Sequence, residues 1–251
     1  GNDTLVAGTA LTTMIGGTGN NTFVLNNASD VVIAQAGSAS NTVRVYANYT
    51  APTNVTNTID VGNATITLKG STGNQMLTGY GNDTLIAGTG NDTLNSGHVM
   101  IGGAGNDTFI EGAGGAAITA QAGYINTVLT SASATGPANV QYLTGTGTLA
   151  IALTGGAAAE TITANSGNDT LIAGGGVDTL IGGTGNDTFV VNNASDVIVS
   201  QAGSVSNTVQ TYFNFTASAS EQNLTGLGTA NLALSGSTGN QTITGNSGQD
   251  T

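Results

Sequence analysis

A nine-residue phrase, Gly-Gly-x-Gly-Asn-Asp-Thr followed by two apolar residues, stands complete at Gly102–Ile110 and again at Gly182–Val190. Weaker copies place Asp169, Asp178 and Asp187 at nine-residue steps, and Asp83 and Asp92 likewise. A unit this short cannot bury an apolar face alone, so a chain that repeats it builds a core by stacking neighbours. The phrase therefore points to a solenoid.

A longer repeat overlies the short one. Residues 1–80, 81–166 and 167–247 are three copies in one continuous array, and residues 248–251 open a fourth. Copies one and three are close: Asn26-Asn27-Ala28-Ser29-Asp30-Val31 returns at Asn192–Val197, and Gly70-Ser71-Thr72-Gly73-Asn74-Gln75 returns at Gly236–Gln241. Between the glycine-rich parts lie spacers, too long to be structureless loops in a compact protein. They repeat a polar-Thr-apolar ending at Asn21-Thr22-Phe23, Asn41-Thr42-Val43, Asn126-Thr127-Val128, Glu160-Thr161-Ile162, Asn207-Thr208-Val209 and Gln241-Thr242-Ile243. This is the end of the nine-residue phrase with its aspartate replaced, so the spacers read as further rungs of roughly twenty residues each. Abundant Thr, Val and Ile favour strands, and Gly, Asn and Asp at their ends favour turns. The stretch Ala113–Ala122 is expected to be strand, since Gly114 and Gly115 oppose a helix there.

Fourteen acidic residues against two basic ones give a net charge of -12, which repels nucleic acid and anionic membranes and favours cations. Asp3, Asp83, Asp92, Asp107, Asp169, Asp178, Asp187 and Asp250 all sit at the aspartate position of the phrase. Cysteine is absent, so another device must tie the turns together. No apolar run is long enough for a membrane span, and no leader segment is expected within these residues.

With its G-G-x-G-x-D-x-U-x pattern, the chain resembles the RTX family of calcium-binding repeat proteins. The resemblance implies an all-β, right-handed parallel β-roll, in which six residues of each nonad turn, three form a strand, and two nonads close a coil. Residues eighteen apart then stack, placing Asp169 over Asp187 with Asp178 on the other side. Calcium is the implied ion, held by Asp169, Asp178 and Asp187 with Gly182, Gly183 and Gly185 in copy three. In copy two the implied residues are Asp83, Asp92 and Asp107 with Gly102, Gly103 and Gly105, and at the chain ends Asp3 and Asp250. Ca2+ takes six to eight oxygens from carboxylates and carbonyls, which suits this set better than Mg2+ or Zn2+. The turns of Asp169 and Asp187 are expected to form the strongest staple. Copy one is weaker, with Thr12 and Asn21 in place of acids. In copy two, the fifteen-residue interval from Asp92 to Asp107 is expected to interrupt the stack around Gly97–Met100.

The supply of catalytic groups is small. His98 is the one histidine, Arg44 and Lys69 have Gln210 and Ser235 as counterparts, and Glu111, Glu160 and Glu221 occupy unrelated places. A non-enzymatic role is expected. Tyr46, Tyr49, Tyr212, Phe213 and Phe215 read as packing residues. In Leu85-Ile86, Leu171-Ile172, Leu180-Ile181 and Phe189-Val190 the first residue should point inward and the second outward, forming an exterior apolar strip suited to self-association.

These features and the resemblance suggest a secreted or cell-surface structural segment of a filament, surface layer or adhesin, exported by type I secretion and associating end to end or laterally. Gly1-Asn2-Asp3-Thr4-Leu5 and Gly248-Gln249-Asp250-Thr251 fall within one motif, so the end could continue into the start. The alternative is the repeat segment of a secreted enzyme or toxin. A lesser one, from the Thr-Gly-Asn triplets at Thr18, Thr89 and Thr184, is an ice-binding adhesin module. Sequons at Asn48, Asn54, Asn214 and Asn223 would admit glycans.

Overall fold

The computed structural model describes residues 1–37, 40–112, 115–201 and 206–251, and among them there are strands, turns and bends but no helix. The chain divides into two compact units, Gly1–Glu111 with Gly115–Asn126, and Thr127–Thr251 with Gly112–Gly114. Each unit is a parallel β-solenoid, its chain passing alternately through two sheets.

In the first unit one sheet stacks Thr4–Val6, Thr22–Val24, Thr42–Val45, Asn57–Asp60, Met76–Thr78, Thr93–Asn95 and Thr108–Glu111. The opposite side carries Thr13–Ile15 with Val31–Ile33, and then a five-stranded sheet from Tyr49–Thr50 through Thr67–Lys69, Thr84–Ile86 and Val99–Ile101 to Ala117–Thr119. The second unit repeats the plan. Thr127–Thr130, Tyr142–Gly145, Thr161–Thr163, Thr179–Ile181 and Val197–Val199 form one side. Facing them, seven strands run from Ala134–Thr135 to Thr242–Thr244, and Phe215–Thr216 pairs with Leu234–Ser235.

The three-residue rungs are short because their one central residue is the side chain that enters the core, and the rungs of four or more residues bury a second. In a strand, alternate side chains take opposite faces, so in Thr-Leu-Ile the leucine enters the core while threonine and isoleucine face out. Phe23, Val43, Leu77, Leu94 and Phe109 fill one row of the first unit and Leu68, Leu85 and Met100 the other, all fully buried. The register sets like on like: Leu171 pairs with Phe189, and Ile162 with Leu180. The second apolar residues point outward as expected; Ile86, Ile172, Ile181 and Val190 are half-buried by their stacked neighbours. Outward apolar residues of other rungs are more exposed, among them Val6, Ile15, Val31, Ile33, Val197 and Val199.

The spacers are rungs, but their lengths vary. Thr22 pairs with Thr42 twenty residues on, Thr42 with Asn57 only fifteen on, and Asn57 with Met76 nineteen on. Corners absorb the difference while the strands keep register. This corrects the interruption expected at Gly97–Met100. Thr93 pairs directly with Thr108, and Val99–Ile101 is a strand between Thr84–Ile86 and Ala117–Thr119. The interval is a short coil rather than a break. Ala117–Thr119 also gives strand to the stretch read as such, with Ala113 and Gly114 outside the described residues.

A second correction concerns the aromatic residues. Tyr49 and Phe215 begin equivalent rungs and are half-buried, whereas Tyr46, Tyr212 and Phe213 are exposed at the turns before them. They stand on the outward side of those turns.

Candidate metal centre

Each strand begins just after a corner, and the residue before its threonine turns into the body of the coil. Asp83, Asp92, Asp107, Asp169, Asp178 and Asp187 all hold this place and are at most 2% exposed. A carboxylate can be buried there because backbone amides converge on it. One oxygen reaches across to the preceding coil: Asp187 Oδ1 accepts the Asp169 N–H at 2.9 Å, Asp107 that of Asp92 at 2.9 Å, and Asp178 that of Glu160 at 2.8 Å. The other oxygen closes its own turn: Asp107 Oδ2 accepts from Gly103 N–H at 2.8 Å, Asp169 from Asn165 at 2.9 Å, and Asp178 from Gly174 at 2.6 Å.

The rungs without aspartate make the same cross-coil bond. Asn21 Oδ1 accepts from Asp3 N–H at 3.0 Å, Asn126 from Asp107 at 3.0 Å, and Asn207 from Asp187 at 2.8 Å. Aspartate and asparagine thus belong to one inner ladder, differing in charge more than in position. A second, exposed ladder runs in the opposite direction: Asn74 Oδ1 accepts from Asn91 N–H, Asn91 from Asn106, and Asn168 from Asn186, each at 2.9 Å.

Asp169 and Asp187 stack eighteen residues apart, and Asp178 belongs to the other column, with Glu160 before it and Asp196 after. Gly102 and Gly182 make room for the interior: a Cβ there would meet Phe109 Cζ at 2.9 Å and Phe189 Cζ at 2.7 Å. Gly103, Gly105, Gly183 and Gly185 bring coils together. A Cβ on Gly183 would lie 1.5 Å from the Asn165 carbonyl oxygen, and one on Gly185 1.7 Å from that of Gly167. Asp3 is exposed on the first rung, and Asp250 is half-buried with Oδ1 accepting the Leu232 N–H.

Two aspartates at the same position escape the sequence reading. Asp30 accepts the Thr12 N–H at 2.8 Å and Asp196 the Asp178 N–H at 2.9 Å, and both also hold the amides of their own turns. The signal was the count: Asp196 lies nine residues beyond Asp187 and continues its series. Asn-Asn-Ala-Ser in place of glycines disguised it.

Burial raises the pKa of Asp92, Asp107 and Asp187, opposed in part by the amide bonds; for Asp107 and Asp187 the stacked carboxylate adds repulsion. Glu160 is pushed up to about 7, first by burial and then by Asp178. Charge at these corners is therefore unfavourable unless a cation compensates it.

The donors suit a hard cation. Asp187 Oδ2 is buried, and the Gly183 amide beside it does not reach hydrogen-bonding geometry, so the oxygen has lone pairs available to an ion. Among the described residues no three histidine or acidic side chains converge, so backbone oxygens must complete any coordination shell. The Asn165 and Gly167 carbonyls beside Gly183 and Gly185 belong to this same corner. Carboxylate plus carbonyl is the ligand chemistry of Ca2+.

The profile of the RTX calcium-binding nonapeptide repeat matches the chain in four copies, over residues 12–38, 77–98, 99–115, 154–189 and 234–251. The chain is an RTX-repeat protein. RTX nonapeptide repeats bind calcium. The match at residues 12–38 takes in Asp30, which explains why copy one retains the motif although Thr12 and Asn21 carry no charge. No curated protein and no solved structure is significantly similar to the chain. In this RTX protein the turns of Asp169 and Asp187, with Gly182, Gly183 and Gly185, would hold calcium, which supplies positive charge to the buried carboxylates.

Proposed function

We propose that this RTX solenoid is an extracellular structural element, a stiff segment of a bacterial filament, surface layer or adhesin, rather than an enzyme. The observation that carries this reading is the use made of the acidic side chains. Those that could serve chemistry instead accept backbone amides along the inner ladder, where they join one coil to the next. His98, the one histidine, is exposed in a turn. RTX proteins are typically secreted by the type I route, which delivers the chain to a calcium-rich medium. Weak sites fill there, and the binding free energy adds to folding. No helix among the described residues is long and apolar enough to cross a membrane.

The exposed residues Val31, Ile33, Val197 and Val199 offer strand faces for lateral contact between copies. Electron microscopy and sedimentation with calcium and with chelator test the assembly. The reading expects elongated assemblies in calcium; dispersed monomers at high protein and calcium concentration contradict it.

A further inference from the structure

The corner after strand Asn57–Asp60 departs from the repeat plan. Asp60 ends its rung where the equivalent strands end in Gly145 and Gly226. A Cβ at those glycines would meet Ile151 Cδ1 at 2.8 Å and Leu232 Cδ1 at 3.1 Å. Ile66 is the counterpart of Ile151, each donating its N–H to the ladder aspartate one coil on. The first repeat thus places a carboxylate where the others have no side chain, beside an apolar residue.

Asp60 is 6% exposed. Its Oδ1 accepts the Gly62 N–H at 2.9 Å, and its Oδ2 is buried with no donor. The Asp60 carboxyl lies within hydrogen-bonding reach of that of Asp83, which is itself fully buried. Both Asp83 oxygens accept backbone amides, from Ile66 N–H at 2.8 Å and Tyr80 N–H at 2.7 Å. The basic residues Arg44 and Lys69 are exposed on outward positions of their strands. Two carboxylates meeting in a buried corner, without a basic side chain between them, repel one another and need either a shared proton or a cation between them.

We propose that Asp60 and Asp83 form a calcium site outside the nonapeptide pattern, with Asp60 Oδ2 as the ligand particular to it. The site rests on the calcium reading of the RTX repeats but uses a residue outside every matched repeat. A carboxylate oxygen that accepts one N–H keeps a lone pair for a metal, so both carboxylates can serve while their backbone bonds persist. Backbone carbonyls and water complete the shell of such an ion.

The test is the calcium stoichiometry of the full chain by titration calorimetry after chelator treatment, for wild type, Asp60→Gly, Asp60→Asn and Asp178→Asn. Glycine is native at the equivalent positions, so Asp60→Gly should keep the fold. Terbium luminescence excited through tyrosine gives a second reading, because Tyr46 lies beside Gly62 in this corner. The proposal expects Asp60→Gly to bind one ion fewer than wild type and to lose part of the terbium emission, while Asp178→Asn affects a separate site. An unchanged count in Asp60→Gly, with the Asp178→Asn effect intact, overturns this site alone. If Asp60→Asn binds as many ions as wild type and is more stable in chelator, the pair shares a proton and the proposal fails. A wild-type chain that binds no calcium overturns both this site and the reading on which it rests.

Discussion

Glu160 shows how tightly the inner ladder specifies a residue. It holds the place of Gln75 and Gln241, whose Oε1 atoms accept an amide of their own turn while Nε2 donates to a carbonyl one coil back. Glu160 reproduces the first bond, from Gly156 N–H at 2.8 Å, but when ionised it cannot donate the second. Its pKa is raised from 4.5 to about 7, so the folded chain binds a proton that the unfolded chain releases. Stability from this group therefore falls as pH rises between those two values, and the ionised side chain is destabilising above them. Glu160→Gln should raise stability by about 1–2 kcal/mol at pH 8 after screening by nearby solvent. The gain should vanish towards pH 4.5, as denaturant titrations at the two pH values would show. Gly183 is constrained by space rather than charge. Gly183→Ala should cost about 3 kcal/mol, because its Cβ would fall 1.5 Å from the Asn165 oxygen. Gly17→Ala meets nothing within 4 Å and should be neutral or slightly stabilising. Comparing the two melting temperatures separates a crowded corner from general glycine flexibility. At this scale the aspartate position was legible from its spacing, but its inward orientation was not. The sequence shows which residues recur, not that amides gather round them, and so Asp30 and Asp196 passed unnoticed.

At the scale of the rung, the polar-Thr-apolar ending was a sufficient guide to strand, because the apolar residue after the threonine is the one that enters the core. Leu171 is fully buried between Leu153 and Phe189 in adjacent coils. Leu171→Ala should cost about 2–5 kcal/mol. Because neighbouring rungs carry most of each rung's stability in a stacked array, the loss should appear as faster amide exchange at Leu153, Leu171 and Phe189 before it reaches distant rungs. Coil length was the part the sequence concealed. Fifteen residues from Asp92 to Asp107 looked like an insertion against a step of nine, yet they form a complete coil, shorter than the eighteen residues from Asp169 to Asp187. A three-residue strand leaves the rest of the coil to corners, and corners tolerate different lengths as long as the ladder bonds are made.

For the whole molecule, the fold follows from repetition and the stability from how its charge is managed. A net charge of -12 on 251 residues would oppose compaction if it were unpaired, and the buried ladder concentrates several of those charges in the interior. Calcium bound at the aspartate rungs would relieve this, while asparagine and glutamine rungs carry no charge to offset. The same backbone bond therefore responds differently to metal according to the side chain that accepts it. Amide hydrogen exchange, residue by residue, in calcium and in chelator, measures this directly. The Asp169, Asp92 and Asp178 amides donate to carboxylates, and the Asp3, Asn21 and Asp107 amides donate to asparagine. Chelation should strip protection from the first group well before the second. Equal protection of both groups in chelator would contradict the account, since calcium would then have no part in holding the carboxylate rungs together.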